Sequence, residues 1–283
     1  MMNVLVTGSN GQLASCIKDH AKQYDGLNFI YTDYEELDIC NLNDLEEFFK
    51  TNQKIDYCIN CAAYTAVDKA ESEVEKAFEI NAIGPKNLAQ VCSEFDTILI
   101  QISTDFVFDG EKTEPYVETD VANPISVYGA SKLQGEVEIQ KTYKKHFIIR
   151  TSWLYCEHGT NFMTTMVRLA ETRDEISVVS DQIGTPTYAG DLAEVILKIV
   201  RSKNTNFGLY HYSNDGVASW YDFAKAIFEE SNKEIRLNPI KTEAYPTPAK
   251  RPVYSVMDKT KIKSVLGIEI QFWDDHIKTI INI

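Results

Sequence analysis

The sequence predicts an α/β fold, a doubly wound parallel sheet followed by a smaller α+β region. Strand-like and helix-like stretches alternate five times between residues 3 and 150. Several of the strand-like stretches are apolar at consecutive positions, as in strands buried on both faces of a parallel sheet. A glycine turn follows the first of them. Strands that alternate with helical crossovers are typical of parallel sheets.

The first half supplies the elements of the predicted sheet. Its strands are predicted at residues 3–7, 28–32, 55–62, 97–102 and 146–150. Its helices are predicted from about 14 to 22, after an N-cap at Asn41 or Asn43, at 71–94 and within 124–143. Ligands of such sheets bind at the carboxyl ends of the strands. The loops after the first four strands are therefore the place to look for chemistry.

The second half alternates less regularly. Helices are predicted at 162–171, 191–200 and 219–230, and strands at 176–179 and 209–213. Residues 241–252 contain three prolines and cannot form a regular helix. We predict a first domain at 1–151, to which residues from about 176 to 202 return, and a second region at 152–283.

Composition and charge exclude several classes of protein. Hydrophobic residues make up 44% and charged residues 25% of the 283 residues, which is ordinary for a globular chain. A net charge of −14 disfavours nucleic acid binding. The sequence shows neither a signal segment nor an apolar run of the roughly 18 residues that cross a bilayer. A cytoplasmic protein without a membrane partner is expected.

Cys58 and Cys61 form a C-x-x-C pair inside an apolar, strand-like run. No second Cys/His pair with zinc spacing accompanies them. Small buried thiols explain the pair better than redox or zinc chemistry does, and no metal site is predicted.

The turn after the first strand, T-G-S-N-G-Q-L-A from residue 7 to 14, predicts a dinucleotide site. Gly8 and Gly11 allow the backbone to approach a pyrophosphate at a helix N-terminus. Asp33, 22 residues after Gly11, ends the second strand and could bond the adenosine ribose hydroxyls. Its charge would repel a 2′-phosphate, which favours NADH without excluding NADPH. The first domain is thus a Rossmann-type dinucleotide-binding domain.

Tyr128 and Lys132 lie four residues apart, on one face of a predicted helix. A neighbouring ammonium favours the phenolate, so we expect Lys132 to lower the pKa of Tyr128 from about 10. Thr104 follows the fourth strand, at the same edge of the sheet, and could hydrogen-bond a substrate carbonyl that Tyr128 protonates.

These features resemble an extended short-chain dehydrogenase/reductase. Local strings are similar, in order and along the whole chain, to the dTDP-4-dehydrorhamnose reductase family. They are N-C-A-A-Y-T-A-V-D-K-A-E (60–71), S-T-D-F-V-F-D-G (103–110), R-T-S-W-L-Y (150–155), N-F (161–162), D-Q-I-G-T-P-T (181–187) and Y-P-T-P-A-K-R-P (245–252).

The resemblance implies reduction of the C4 ketone of dTDP-4-dehydro-L-rhamnose by NADPH or NADH. Tyr128 would donate the proton, and Lys132 would bind the nicotinamide ribose. The residues implied to line the cofactor are Gly8, Gly11, Gln12, Leu13, Asp33, Asp38, Ile39, Ala62, Ala63, Tyr64, Thr65, Tyr128 and Lys132. Thr104, Asp105 and Trp153 would contact the sugar, Trp153 by stacking or packing. Arg251 could hold the nucleotide diphosphate. A homodimer is possible.

Three alternatives stay open from the sequence. The first is a 4,6-dehydratase. Dehydratases of this superfamily carry two acidic residues after the threonine, whereas Phe106 follows Asp105 here, so the second acid is missing. The second is another enzyme of nucleotide sugars, either a 4-epimerase or a reductase of a different 4-keto sugar nucleotide, which fits the same motifs. The third alternative is a non-catalytic regulatory subunit that retains the fold, against which the intact Thr104, Tyr128 and Lys132 argue.

Overall fold

A six-stranded parallel sheet forms the centre of the computed structural model, which describes residues 1–231 and 233–281. Its strand order is β2-β1-β3-β4-β5-β10. Its members are β1 (Met2–Thr7), β2 (Leu27–Thr32), β3 (Tyr57–Asn60), β4 (Ile98–Thr104), β5 (His146–Thr151) and β10 (Gly208–His211). Every neighbouring pair is parallel. The predicted doubly wound α/β fold is confirmed.

The α-helices of the described residues are α1 (Gln12–Ala21), α2 (Leu42–Thr51), α3 (Val67–Ala70), α4 (Val74–Phe78), α5 (Gly84–Glu94), α6 (Val127–Thr142), α7 (Phe162–Leu169), α8 (Ala189–Ser202), α9 (Trp220–Glu230), α10 (Thr260–Leu266) and α11 (Ile277–Ile281). Some of them cover the two faces of this sheet, whereas α7, α9 and α11 pack together in the smaller region. On one face, Val4 and Val6 pack with Ile17 of α1 and Ile196 of α8. On the other, Leu5 lies in one buried cluster with residues of α2, α5 and α6. This alternation along β1 is what a strand buried on both faces requires.

The helix predicted at 71–94 is present from Val74 to Glu94, but it is not a regular α-helix throughout. Helix α4, a π-helical turn at Glu79–Ile83 and α5 follow one another directly. Asn81 in the π-helical turn donates to the Tyr64 carbonyl and to Ser131 Oγ, both at 3.0 Å, and accepts from Tyr64 N at 2.8 Å. These long-range bonds hold Asn81 in place, and π-helical turns are frequent where a helix adapts to such a contact.

The second half is divided between the central sheet and a smaller α+β region. Helix α8 packs on α1, and β10 extends the sheet beside β5. By contrast, β7 (Glu175–Val179) pairs in parallel with β12 (Arg236–Ile240). Two-residue strands complete the region: β6 (Leu154–Tyr155), β8 (Ile183–Gly184), β9 (Thr187–Tyr188) and β11 (Ala218–Ser219). Within the segment predicted to return, α8 and Tyr188 pack on the core of the central sheet. The division into domains near residue 151 stays a prediction.

The proline-containing segment 241–252 follows β12 in the smaller region. As predicted it has no regular α-helix, and its one helical turn is a 3₁₀ turn at Thr242–Ala244. Across the described residues, no helix has both the length and the apolarity that a bilayer crossing requires.

Candidate active site

The glycine turn after β1 presses the backbone against the end of β3. Gly8 has a φ of +64°, and a Cβ added there would lie 2.5 Å from Ala62 N. Only glycine fits such a position without strain. Gly11 then precedes α1, whose first turn has no side-chain cap. Close backbone approach and uncapped amide groups together suit a pyrophosphate.

A long cleft follows the carboxyl edge of the sheet from this turn. It comprises two cavities of about 770 and 660 Å³. They share five lining residues, which are Asn10, Gly11, Cys61, Ala62 and Ala63. We call the larger cavity the Tyr128 end and the smaller one the Asp33 end. Of the predicted cofactor residues, Gln12, Leu13, Thr65, Tyr128 and Lys132 line the Tyr128 end, and Gly8, Asp33, Asp38 and Ile39 line the Asp33 end.

The partly buried carboxylate of Asp33 lines the Asp33 end and also accepts hydrogen bonds from two backbone amides. Its Oδ2 accepts from Asn10 N and its Oδ1 from Tyr34 N, each at 2.8 Å. It therefore fixes the glycine turn while it lines the cavity. Lys76 lines the same end, with its ammonium 3.9 Å from Glu73 Oε2. The cavity thus holds both an acidic and a basic side chain.

Tyr64 is the one predicted cofactor residue that the structure does not bring to the cleft. Its phenol donates to Glu73 Oε2 at 3.0 Å, and its backbone is bonded on both sides by Asn81. The flanking residues Ala63 and Thr65 line the cleft instead. Adjacent residues of an extended segment point in opposite directions, so Tyr64 points away from the cleft that its two neighbours line. A similarity between sequences does not show this direction.

The Tyr128 end joins α6 to the end of β4. Ser126 caps α6 by accepting from Gly129 N at 3.1 Å. A Cβ on Gly129 would lie 2.1 Å from the Phe106 carbonyl oxygen, so α6 lies directly against the segment that follows Thr104. Lys132 donates to the Ile102 carbonyl at 2.7 Å. Tyr128, Lys132 and Thr104 all line this one cavity.

Burial sets the pKa values of this pair, which corrects the expectation that Lys132 lowers the pKa of Tyr128. Desolvation raises the pKa of Tyr128 to about 12, although a hydrogen bond with Thr104 lowers it in part. Desolvation also lowers the pKa of Lys132 to about 8, with Glu136 acting in the opposite direction. Tyr128 is consequently a phenol, and a proton donor, at neutral pH.

Asp105 contributes a buried carboxyl group beside Thr104. Its Oδ1 accepts from Thr104 Oγ1 at 3.1 Å. Its Oδ2 is buried and has no hydrogen-bond partner among the described residues. Burial raises the pKa of Asp105 to about 6, against the lowering effect of the Ser255 and Thr104 hydroxyls. An unpartnered acceptor on the cleft wall suits a hydroxyl group of a bound sugar.

Trp153 lines the cleft in a constrained conformation. Its φ is +46°, and its indole stacks on Trp220 with ring centroids 3.6 Å apart. Gly184 leaves the space for it, since a Cβ there would lie 2.6 Å from the indole. One face of Trp153 is therefore already covered by protein. The predicted contact of the indole with a sugar, by stacking or packing, stays a prediction.

Arg251 also lines the Tyr128 end, but its guanidinium is engaged. It donates to Asp68 Oδ1 and Oδ2 at 3.1 and 2.8 Å. The Arg251 hydrogen bond lowers the pKa of Asp68. The bridge ties segment 241–252 to α3. A diphosphate would have to share this guanidinium with Asp68.

Three aromatic residues of the site were not predicted to belong to it. Trp220 and Phe162 line the cleft beside Trp153, and Phe106 meets Tyr128 edge-on at 5.5 Å. Phe106 and Phe162 lie in strings that resemble the family, but no role was predicted for either. Phe106 directly follows Asp105, so proximity in sequence could have found it. Trp220 comes from α9, and only the fold brings it near. Outside the proposed roles, Cys16, Cys156 and Glu157 cluster within 4.8 Å, as do Asp19, Glu157 and His158. The predicted lack of a metal site stays a prediction.

Comparisons with known proteins agree along the whole chain. Residues 2–283 match the family described as RmlD substrate binding domain. A dTDP-4-dehydrorhamnose reductase of Aggregatibacter actinomycetemcomitans is 41% identical, over 99% of this chain and 98% of that protein. Solved dTDP-4-dehydrorhamnose reductases of Clostridium acetobutylicum and, in complex with NADP, of Bacillus anthracis are 44% and 39% identical. Their TM-scores are 0.95 and 0.93, with 99% of both chains covered in each case. The chain therefore belongs to the RmlD substrate binding domain family, together with these dTDP-4-dehydrorhamnose reductases.

Proposed function

We propose that this protein reduces the C4 ketone of dTDP-4-dehydro-L-rhamnose to dTDP-L-rhamnose with NADPH or NADH, the last step of dTDP-rhamnose biosynthesis. The observation that carries the proposal is the meeting of Tyr128, Lys132 and Thr104 at one end of a cleft that starts at the glycine turn. The names of the relatives, and the NADP bound to one of them, support the same reaction.

The residues of the cleft fit a nicotinamide dinucleotide. A side chain at Gly8 would collide with Ala62, so the turn offers bare backbone where a pyrophosphate would lie. Asp33 at one end would bind the adenosine ribose, and Lys132 at the other would bind the nicotinamide ribose. A dihydronicotinamide bound there would supply the hydride.

The protein's own part is to stabilise the charge that develops on the ketone oxygen. Tyr128, protonated because burial raises its pKa to about 12, donates its proton to that oxygen. Thr104 Oγ1 adds a second hydrogen bond. Lys132, on the same face of α6, would hold the nicotinamide ribose. Asp105 Oδ2 accepts from a sugar hydroxyl, and the indole of Trp153 packs against the ring.

Two further properties belong to this proposal. The substrate partner is a dTDP-sugar, with the phosphates within reach of Arg251, and the protein works in the cytoplasm without nucleic acid or membrane partners. A homodimer is also proposed, on the resemblance to the family alone.

The test is an absorbance assay at the dihydronicotinamide band with a panel of 4-keto sugar nucleotides. We expect absorbance to fall with dTDP-4-dehydrorhamnose, more slowly with other 4-keto sugars, and not at all without substrate. Oxidation with a different 4-keto sugar alone would reassign the substrate. A protein that binds NADH but oxidises it with none of them would be a non-catalytic subunit.

A further inference from the structure

A buried ion pair lies behind the Tyr128 end and has no part in the steps described so far. The side chains of Glu136 and Arg150 are 2% and 4% exposed. Arg150 Nε donates to both carboxylate oxygens at 2.9 and 3.2 Å, and Nη2 donates to Oε2 at 2.7 Å. Ser103 Oγ donates to Oε1 at 2.5 Å. Glu136 is thereby held by two strands, β4 and β5.

The position of Glu136 links it to Lys132. The two residues are one turn apart on the same face of α6. Lys132 bonds the carbonyl of Ile102, and Glu136 bonds the side chain of Ser103, the next residue of β4. Two successive turns of α6 are thus fastened to two successive residues of β4.

The charges around Lys132 leave Glu136 as its main electrostatic support. The direct partner of the ammonium is a neutral carbonyl, and Lys132 is 5% exposed. An ammonium in such a place is stable only near negative charge. The titratable groups that act on Lys132 are Glu136 on α6 and Cys61 after β3; the Glu136 carboxylate in turn bonds Arg150 on β5, which contacts His211 on β10. Burial lowers the pKa of His211 to about 3, so it is neutral, and Cys61 is a thiol because burial raises its pKa to about 12.

We propose that Glu136 is a positioning residue of this reductase: held by Ser103 and Arg150, its carboxylate fixes α6 on β4 and keeps the Lys132 ammonium charged. The inference rests on the proposed function. It adds a residue that touches neither the cofactor nor the sugar and acts through Lys132.

Buried ion pairs often stabilise only the fold. A test must therefore distinguish an effect of Glu136 on Lys132 from a loss of stability alone. The decisive variant is Glu136→Gln, which keeps the size and removes the charge. Its readout is the pH dependence of NADH affinity, followed by NADH fluorescence, together with the pH profile of kcat/KM. Affinity is expected to fall at alkaline pH, as Lys132 loses its proton.

In Glu136→Gln the alkaline limb of both profiles should move to lower pH by about one unit, while affinity well below neutral pH stays near that of the parent. The matched control is Glu138→Gln, the same change on α6 at a partly exposed carboxylate 3.9 Å from Lys141. That control should leave the limb where it is. A limb that does not move in Glu136→Gln, with the loss confined to stability, overturns the proposal.

A second measurement is needed if Glu136→Gln is unstable without a ligand. Saturating NADH stabilises the folded chain by mass action, and the same limb can then be read from kcat. The binding arm also separates this proposal from the proposed function. If the parent reduced no sugar ketone, the reaction would be wrong, but the shift of the NADH-affinity limb would still decide the role of Glu136.

Discussion

Burial controls the protonation of Tyr128, Asp105 and Lys132, which line the Tyr128 end of the cleft. It raises the pKa of Tyr128 to about 12 and that of Asp105 to about 6, and lowers that of Lys132 to about 8. Sequence spacing predicted that Tyr128 and Lys132 share a face of one helix. It could not predict that desolvation sets the pKa of Tyr128, because burial depends on the packing of neighbouring elements, which the spacing does not describe.

Asp105→Asn is expected to stabilise the protein and weaken catalysis. The folded pKa of about 6 lies above the ordinary value of 3.8, so this group favours folding below pH 3.8 and that contribution is lost as pH rises to about 6. Removing the ionisable group should therefore raise the free energy of unfolding at neutral pH by about 1 to 3 kcal/mol.

The same variant loses the carboxylate oxygen that accepts a sugar hydroxyl, so kcat/KM should fall by about 10- to 100-fold. Urea unfolding at acidic and neutral pH, with steady-state kinetics, measures both effects. Unchanged stability at neutral pH would contradict the buried, ionised state of Asp105. Unchanged kcat/KM would contradict its contact with the sugar.

At the scale of elements, α6 carries the site because its glycines let it lie against other backbones. Gly129 faces the Phe106 carbonyl and Gly135 the Asn81 carbonyl, with added Cβ atoms 2.1 and 2.2 Å away. The sequence placed α6 within 124–143, near its observed span of Val127–Thr142. It did not place the π-helical turn at Glu79–Ile83, because the bonds of Asn81 to Tyr64 and Ser131 span distances along the chain that local patterns do not record.

Gly129→Ala should shift the segment after Thr104 and lower both stability and activity. The new methyl meets backbone rather than a flexible side chain, and overpacking of this kind costs about 1 to 3 kcal/mol. Thermal unfolding and kcat test it. Gln134→Ala, at an exposed position of the same helix, should change stability by no more than about 0.5 kcal/mol. If Gly129→Ala and Gln134→Ala have the same stability and the same kcat, the close approach of α6 to the Phe106 carbonyl does not matter for either.

At the scale of the whole molecule, the cleft is closed by parts of the chain that are distant in sequence. Arg251 and Asp68 are separated by 183 residues, and their bridge fastens segment 241–252 to α3. The alternation of strands and helices predicted the central sheet well. The contacts of the second half were not predictable in the same way, since short strands such as β6 and β9 have no periodicity to detect.

The bridge gives a pair of variants with different expected outcomes. Arg251→Met removes the cation that we assign to the diphosphate and should weaken dTDP binding by about 10-fold or more, measured by calorimetry. Asp68→Asn removes the competing carboxylate charge and keeps the side-chain shape, so dTDP should bind as well as or better than to the parent. Equal weakening in both variants would mean that the bridge, and not the free guanidinium, supports the site.

The most direct test of the central claim is the turnover of Tyr128→Phe with dTDP-4-dehydrorhamnose. The variant keeps the ring that packs against Phe106 and loses only the donated proton. We predict that kcat falls by at least about 10² to 10⁴, the usual contribution of a placed general acid, while NADH and NADPH affinities stay within about threefold of the parent. A turnover within about threefold of the parent would show that Tyr128 is not the acid that protonates the sugar ketone.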